Sequence, residues 1–394
     1  STWHNEKASL CARALKATPE VDPDEMHQFI IWVKANYKWL FPKLKKRKPV
    51  SMEIYLKNSN ASPMVKEIIR QAHDRLQKEG ITEDSQLSRN QLYQYTKRKA
   101  FIKQENNLYD TPNGYVDKPP RLIQGAQPEF ISLTGPTFMS IQSEVKKIWS
   151  KWFAIFFTSG ANNFETVAHI DIPEYKLFEN DVSSYDASIC KELCELEVWL
   201  AKKFGAKCAV LDLMRANIHT HGVTSHGIKY KVVGTRKSGD PYTSLMNSIL
   251  NGLMHAYCLS GGGPFSLVQD KFRMLVQGDD NALSHSPDLR PDWGRLFRLG
   301  FKCDNIHRDI LREVQFCSNM VYLTERGKCF GPKPGRVLAK ICAFINPPLF
   351  QNPYSVIRGV ALGLFSAVQC IEPLKIVVER LLTLTKGYTE FYIR

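Results

Sequence analysis

Met274-Leu275-Val276-Gln277-Gly278-Asp279-Asp280-Asn281-Ala282-Leu283 reads as an apolar strand, a tight turn and a second short strand. Such a hairpin thrusts two adjacent carboxylates from a rigid tip. Paired acids in that setting suit a pair of magnesium ions and phosphoryl or nucleotidyl transfer. The tripeptide alone carries little weight, because average residue usage puts a stray Gly-Asp-Asp in roughly one chain in ten of this length. A solvated turn is the reading that its company must displace.

Upstream, Phe178-Glu179-Asn180-Asp181-Val182-Ser183-Ser184-Tyr185-Asp186 sets two aspartates five residues apart, after a short apolar-rich stretch. Between the acidic sites lies Ser238-Gly239-Asp240-Pro241-Tyr242-Thr243-Ser244-Leu245-Met246-Asn247. The order Asp-x4-Asp, Ser-Gly-x3-Thr-x3-Asn, Gly-Asp-Asp resembles motifs A, B and C of viral RNA-dependent RNA polymerases. The flank Gly234-Thr235-Arg236-Lys237, with Asp240 after the glycine, is most similar to the tombusvirus, nodavirus and flavivirus-like supergroup of positive-strand RNA viruses. The resemblance runs from Lys97 to Tyr322. It implies an α+β right-hand polymerase, with fingers, palm and thumb and an antiparallel palm sheet flanked by helices. On that plan residues 1–175 are fingers with an N-terminal extension, 176–190 palm, 191–228 a fingers insertion, 229–322 palm, and 323–394 a small thumb.

Composition agrees with a polyanionic partner. The 394 residues suffice for a large core, and 43% hydrophobic with 23% charged residues argues against wholesale disorder. The net charge of +14 points to nucleic acid or an anionic surface. Ten cysteines without a CxxC pair read as buried free thiols of a reducing compartment. His219, His221 and His226 form a loose cluster, read first as surface or core histidines. No apolar run reaches membrane-span length. The chain begins at Ser1 without methionine and is read as a domain cut from a larger replicase.

Periodicity predicts helices over 25–40, 63–77, 193–204, 210–218, from Thr243 onward, 293–299 and 374–385. A basic connector runs from Pro42 to Pro49. Lys97-Arg98-Lys99-Ala100-Phe101-Ile102-Lys103 reads as a strand that returns, after a turn-rich insert with Pro112-Asn113-Gly114, through Lys118-Pro119-Pro120-Arg121-Leu122-Ile123-Gln124. These paired basic strands resemble motif F, and the run from Glu313 to Tyr322 reads as a strand resembling motif E.

The resemblance assigns chemistry residue by residue. Asp181 and Asp279 are the expected ligands of two Mg2+ ions, with Asp280 assisting; Mn2+ suits the same oxygens. Lys103 and Arg121, and Lys99 behind them, are the cations expected over the triphosphate. Asp186 stands where reverse transcriptases carry a bulky aromatic, and its carboxylate can accept a bond from a ribose 2′-hydroxyl. Asn247 and Thr243 would support it, so ribonucleotides are expected over deoxynucleotides. Ser238 and Gly239 match the loop that touches template and nascent pair. Lys302 is the candidate acid for the departing pyrophosphate, and Phe316 and Cys317 would support the primer grip. The implied partners are template and nascent RNA, ribonucleoside triphosphates and other replicase proteins, at membrane-bound complexes in the host cytoplasm, with membrane attachment outside this chain. Two readings compete. A basic RNA-binding protein leaves the acids at 181, 186, 279 and 280 unexplained, and a reverse transcriptase conflicts with Asp186, Asn247 and Gln277.

Overall fold

A computed structural model of the chain describes residues 2–103, 119–341, 343 and 352–391. The expected insert around Pro112-Asn113-Gly114 lies outside the described residues. The strands are, in chain order, β1 (Arg98–Ile102), β2 (Leu122–Gly125), β3 (Ile155–Phe157), β4 (Lys176–Ser183), β5 (His219–Thr224) and β6 (Lys229–Val233). They continue with β7 (Phe272–Gln277), β8 (Asp280–His285), β9 (Lys302–Arg308), β10 (Gln315–Phe316), β11 (Asn319–Thr324) and β12 (Gly327–Pro332). They form a five-stranded sheet ordered β3-β7-β8-β4-β9, a four-stranded sheet β2-β1-β5-β6 and a three-stranded sheet β10-β11-β12. Neighbours are antiparallel except β3–β7 and β1–β5. With helices between and around the sheets, the class is α+β, as the sequence implies.

The five-stranded sheet is apolar on both faces, and its alternation decides what each face packs against. Met274, Val276 and Leu283 face the largest core, while Leu275, Ala282 and Leu177 face a smaller one with Phe316, Val321 and Phe330. The helix Thr243–Leu259 lies in the larger core, buried at every position from Leu245 to Leu259. Burying each of Leu245, Met246, Ile249, Leu250, Leu253 and Met254 contributes about 1.5–3 kcal/mol. Its close seat needs Gly252, where a Cβ would come within 2.9 Å of the Trp149 ring. Trp149 is itself fixed by an Nε1–H bond of 2.8 Å to the Leu40 carbonyl.

The N-terminal helix Pro23–Leu40 starts at Asp22, whose carboxylate accepts from the amides of Asp24 and Glu25. One turn in, the Glu25 carboxylate accepts from Tyr257 Oη (2.6 Å) and Arg295 Nη1 (2.6 Å), tying this helix to two others. The expected helices are found with ends within two or three residues, whereas others, among them Met52–Asn58, Pro128–Ile148 and Pro353–Phe365, were not read from the sequence. The reading of 313–322 as one strand does not hold. Cys317 and Ser318 both take positive φ (51° and 62°) and fold the segment into a two-residue hairpin between β10 and β11. No helix among the described residues is long and apolar enough to cross a membrane.

His255 lies fully buried in the helix Thr243–Leu259, bonded through Nδ1 to the Asn251 carbonyl, with no partner for Nε2 among the described residues. Burial pushes its pKa down to about 4. A histidine held neutral in the fold adds stability above its unfolded pKa near 6.5, lost as pH falls toward 4. Unfolding free energy from urea titration should fall by about 3 kcal/mol between pH 7 and pH 4 on account of this residue. A His255→Gln protein should lack that part of the decline; an identical pH slope in the variant would contradict the assignment.

Candidate active site

Strands β7 and β8 are joined by Gly278 and Asp279 alone, with Gln277 opposite Asp280. Gly278 has φ +66°, and no atom lies within 4 Å of a Cβ built there. Backbone conformation rather than space therefore asks for glycine. The turn is held from behind by the helix Thr243–Leu259. The Gly278 N–H donates to Ser248 Oγ (2.7 Å), and Asn251 Nδ2 donates toward the carbonyls of Gly278 (3.1 Å), Asp279 (2.9 Å) and, more weakly, Asp280 (3.4 Å).

Asn251 is the end of a chain of amides. Asn305 donates to Asn180 Oδ1 (2.6 Å), Asn180 to Asn281 Oδ1 (2.7 Å), and Asn281 to Asn251 Oδ1 (3.1 Å). The ladder register makes this possible, pairing Asn180 with Asn281 on one side and with Asn305 on the other. Each oxygen that accepts fixes which way the next NH2 points. Asp181 follows Asn180 and so projects from the opposite face of β4, paired with Asp304 across β9. One antiparallel step past Asn180–Asn281 sets it beside Asp280.

The acids at this tip crowd one another. Burial, then the charges of Asp279 and Asp181, push the Asp280 carboxyl up to about 6, against a bond from the Cys317 thiol. Among the described residues no three His, Cys, Asp or Glu side chains are grouped closely enough to hold a metal ion. The donor set still fits one: these are carboxylate oxygens, whose mutual repulsion a hard divalent cation would relieve.

Asp186 is held by a second buried chain. Ser184 adopts a left-handed conformation (φ 57°, ψ 40°), its Oγ bonded to Lys16 Nζ at 2.5 Å, and the strand turns into the short helix Tyr185–Ser188. Asn247 Nδ2 donates to Asp186 Oδ1 (3.1 Å), Arg236 Nε donates to Asn247 Oδ1 (2.7 Å), and the Arg236 guanidinium forks onto both oxygens of Glu197. Because Arg236 occupies the amide oxygen, the Asn247 NH2 must face Asp186. Burial raises the Asp186 pKa, opposed by Asn247 and Arg236.

A cavity of about 400 Å³ joins these parts, its walls including Lys103, Arg121, Asp186, Ser238, Asp279 and Arg13. Five of these were expected; Arg13, from the first turns of the chain, was not. Lys103 N–H bonds the Arg121 carbonyl at 2.8 Å, so both cations sit at the mouth of the β1–β2 pair. Gly239 bridges to Gly125, and a Cβ at 239 would overlap the Gln124 carbonyl oxygen. Thr243 Oγ1 bonds the Lys237 carbonyl (2.9 Å). Thr243 therefore braces the loop, and its hydroxyl bond goes to that carbonyl while Asp186 takes its bond from Asn247. Behind the loop the buried Arg98–Asp240 pair (2.8 Å) is bracketed by Asn217, which accepts from Arg98 Nη2 and donates to Asp240 Oδ2.

The remaining expected residues lie around this cavity. Lys302 is exposed on β9, two residues from Asp304 and so on the face that Asp181 shares. Phe316 is a core residue against Phe330, so its ring is not available to RNA, and of that pair it is the Cys317 thiol that reaches the tip. Lys99 points away from the cavity, on the exposed face of its strand. His221 meets the Tyr93 ring, and His226 bonds Glu6. Arg236 and Glu197 escaped the sequence reading as functional positions. Glu197 did leave a signal: it shares the buried stripe of its helix with Leu193, Cys194, Leu200 and Ala201.

Removing the Asn251 amide should loosen the tip. Asn251→Ala leaves the turn carbonyls and Asn281 short of partners, and should cost about 1–3 kcal/mol in urea unfolding. A loss below a few tenths would mean that solvent replaces the amide freely.

Residues 47–348 match the family described as RNA dependent RNA polymerase. No individual curated protein matches the chain. The matched span contains the Asp181, Asp186, Ser238–Asn247 and Gly278-Asp279-Asp280 segments together with the β1–β2 pair, and it removes the ground from both rival readings. The chain belongs to the RNA-dependent RNA polymerases of positive-strand RNA viruses.

Proposed function

We propose that the chain extends an RNA 3′-hydroxyl on an RNA template by nucleotidyl transfer from ribonucleoside triphosphates, with two Mg2+ ions held by Asp181 and Asp279 and assisted by Asp280. The observation that carries this reading is the convergence of Asp279, Asp186 and Ser238 with Lys103 and Arg121 on one cavity. Bound there, the ions would acidify the attacking hydroxyl and neutralise charge on the leaving pyrophosphate. Lys103 and Arg121 bind the triphosphate from the side opposite the acids. Asp186 Oδ1 is already engaged by Asn247, so the carboxylate presents its other oxygen to the ribose 2′-hydroxyl. Ser238 and Gly239 face the base pair being formed, the β10–β11 turn supports the primer, and Lys302 delivers a proton to pyrophosphate.

A right-hand layout follows. The five-stranded sheet is the palm, taking in β3 from the stretch 1–175 first read as fingers; the β2-β1-β5-β6 sheet with its helices is the fingers, taking in β6 from the stretch 229–322 first read as palm; and the segment after Tyr322 is a small thumb. The antiparallel pairing that sets Asp181 beside the Gly278–Asp279 turn supports the palm assignment.

Labelled nucleotide incorporation on a primed RNA template with Mg2+ tests the reading. Asp279→Asn should lower incorporation by about a hundredfold or more. Asp186→Ala should retain synthesis but lower the preference for ribonucleotides by about ten- to a hundredfold, the worth of one hydrogen bond to a charged group. Ribonucleotide preference unchanged in Asp186→Ala would overturn the ribose assignment, and full activity in Asp279→Asn would overturn the metal assignment.

A further inference from the structure

The two segments that build most of the β2-β1-β5-β6 sheet, residues 89–102 and 219–233, contain no Asp or Glu. One face of this sheet is buried under the N-terminal turns, through Leu10, Ala14, Ala100, Leu122 and Tyr230. Arg13 of those same turns lines the catalytic cavity, so the sheet stands between that cavity and its own outer face.

The outer face has a definite layout. In register, Lys99 lies beside Val223 and Val223 beside Lys229, while His221 lies beside Lys231. Lysines therefore stand on both rims and His221 and Val223 form the floor between them. With adjacent strands about 4.8 Å apart, the rims are about 10 Å from each other. Tyr93 closes one end, edge-on to His221 at 5.6 Å, with Lys97 Nζ over its ring at 4.6 Å. Together they enclose a groove of about 640 Å³. Lys99, Lys229 and Lys231 have no ion-pair partner among the described residues. Val223 and Tyr93 remain 40% and 48% exposed.

We propose that this outer groove is a docking platform for single-stranded RNA, separate from the catalytic cavity. Cationic rims track phosphates, and an exposed aromatic with an imidazole beside it offers bases a stacking surface; sheet platforms of this design take about two or three nucleotides. A duplex would bury its bases and leave the apolar floor unused. An acidic protein segment would satisfy the lysines but not the paired rings. RNA held here would stay tethered to the enzyme while another stretch occupies the active site.

The test uses the full chain and a labelled oligouridylate with no primer. Wild-type protein should give photo-crosslinks to peptides carrying Tyr93 or His221. Lys229→Glu with Lys231→Glu should weaken binding by about tenfold or more and lower the salt dependence of log K by about two. The same protein should extend a short primed template at the wild-type rate and melt at the wild-type temperature. Tyr93→Ala should reduce crosslinking without altering the salt slope. Asp279→Asn should bind oligouridylate normally, which separates this inference from the catalytic reading. It is overturned if the double variant binds like wild type, if crosslinks fall only within the catalytic cavity, or if vesicles rich in phosphatidylserine displace the RNA from this face.

Discussion

The amide of Asn251 holds a two-residue turn by its carbonyls, and the geometry of the active site depends on that hold. A hairpin tip carrying adjacent carboxylates is electrostatically unfavourable: burial first, and then the charges of Asp279 and Asp181, keep Asp280 above the usual carboxylate range. Left to itself such a tip would splay or bend away. Instead it is clamped from beneath by a helix whose whole inward surface is buried. The clamp is oriented in turn by Asn281, Asn180 and Asn305 across three strands. Sheet register thus decides where Asp279 points.

The second buried chain, from Glu197 through Arg236 and Asn247 to Asp186, works by the same logic with charges in place of amides. A buried ion pair is a poor source of net stability, because desolvation offsets most of the attraction. Its value here lies in orientation. An asparagine can present either its oxygen or its nitrogen, and Arg236 removes that freedom. The Arg98–Asp240 pair does a similar service for the loop at Ser238 and Gly239, locking it against the β1–β2 pair, whose mouth is flanked by Lys103 and Arg121. Two buried polar cores therefore hold the acidic and basic walls of the cavity.

Much of this was legible in the sequence because it is local. The helix Thr243–Leu259 announces itself by apolar spacing, the β7–β8 turn by Gly278, and the site segments by short ordered patterns. What escaped is non-local or depends on turn chemistry. Asn180, Asn251, Asn281 and Asn305 are each unremarkable polar residues, separated in the chain by up to 125 positions and joined only by ladder register. Arg13 comes from a segment with no recognisable pattern, brought to the cavity because Leu10 and Ala14 cover the sheet. The break at Cys317-Ser318 was hidden because neither is the glycine or asparagine that a positive-φ turn usually carries. Phe316 looked like a contact residue, and its apolar ring went where apolar rings go.

We propose that strand register makes Asp181 and Asp279, distant in sequence, halves of one divalent-cation site. Electron paramagnetic resonance of Mn2+ binding tests it without requiring turnover, using wild type, Asp181→Asn and Asp279→Asn at matched protein concentration. Each substitution alone should abolish tight binding, while both variants keep the wild-type melting temperature. Wild-type binding retained in either variant would contradict it, because the two carboxylates would then not share an ion.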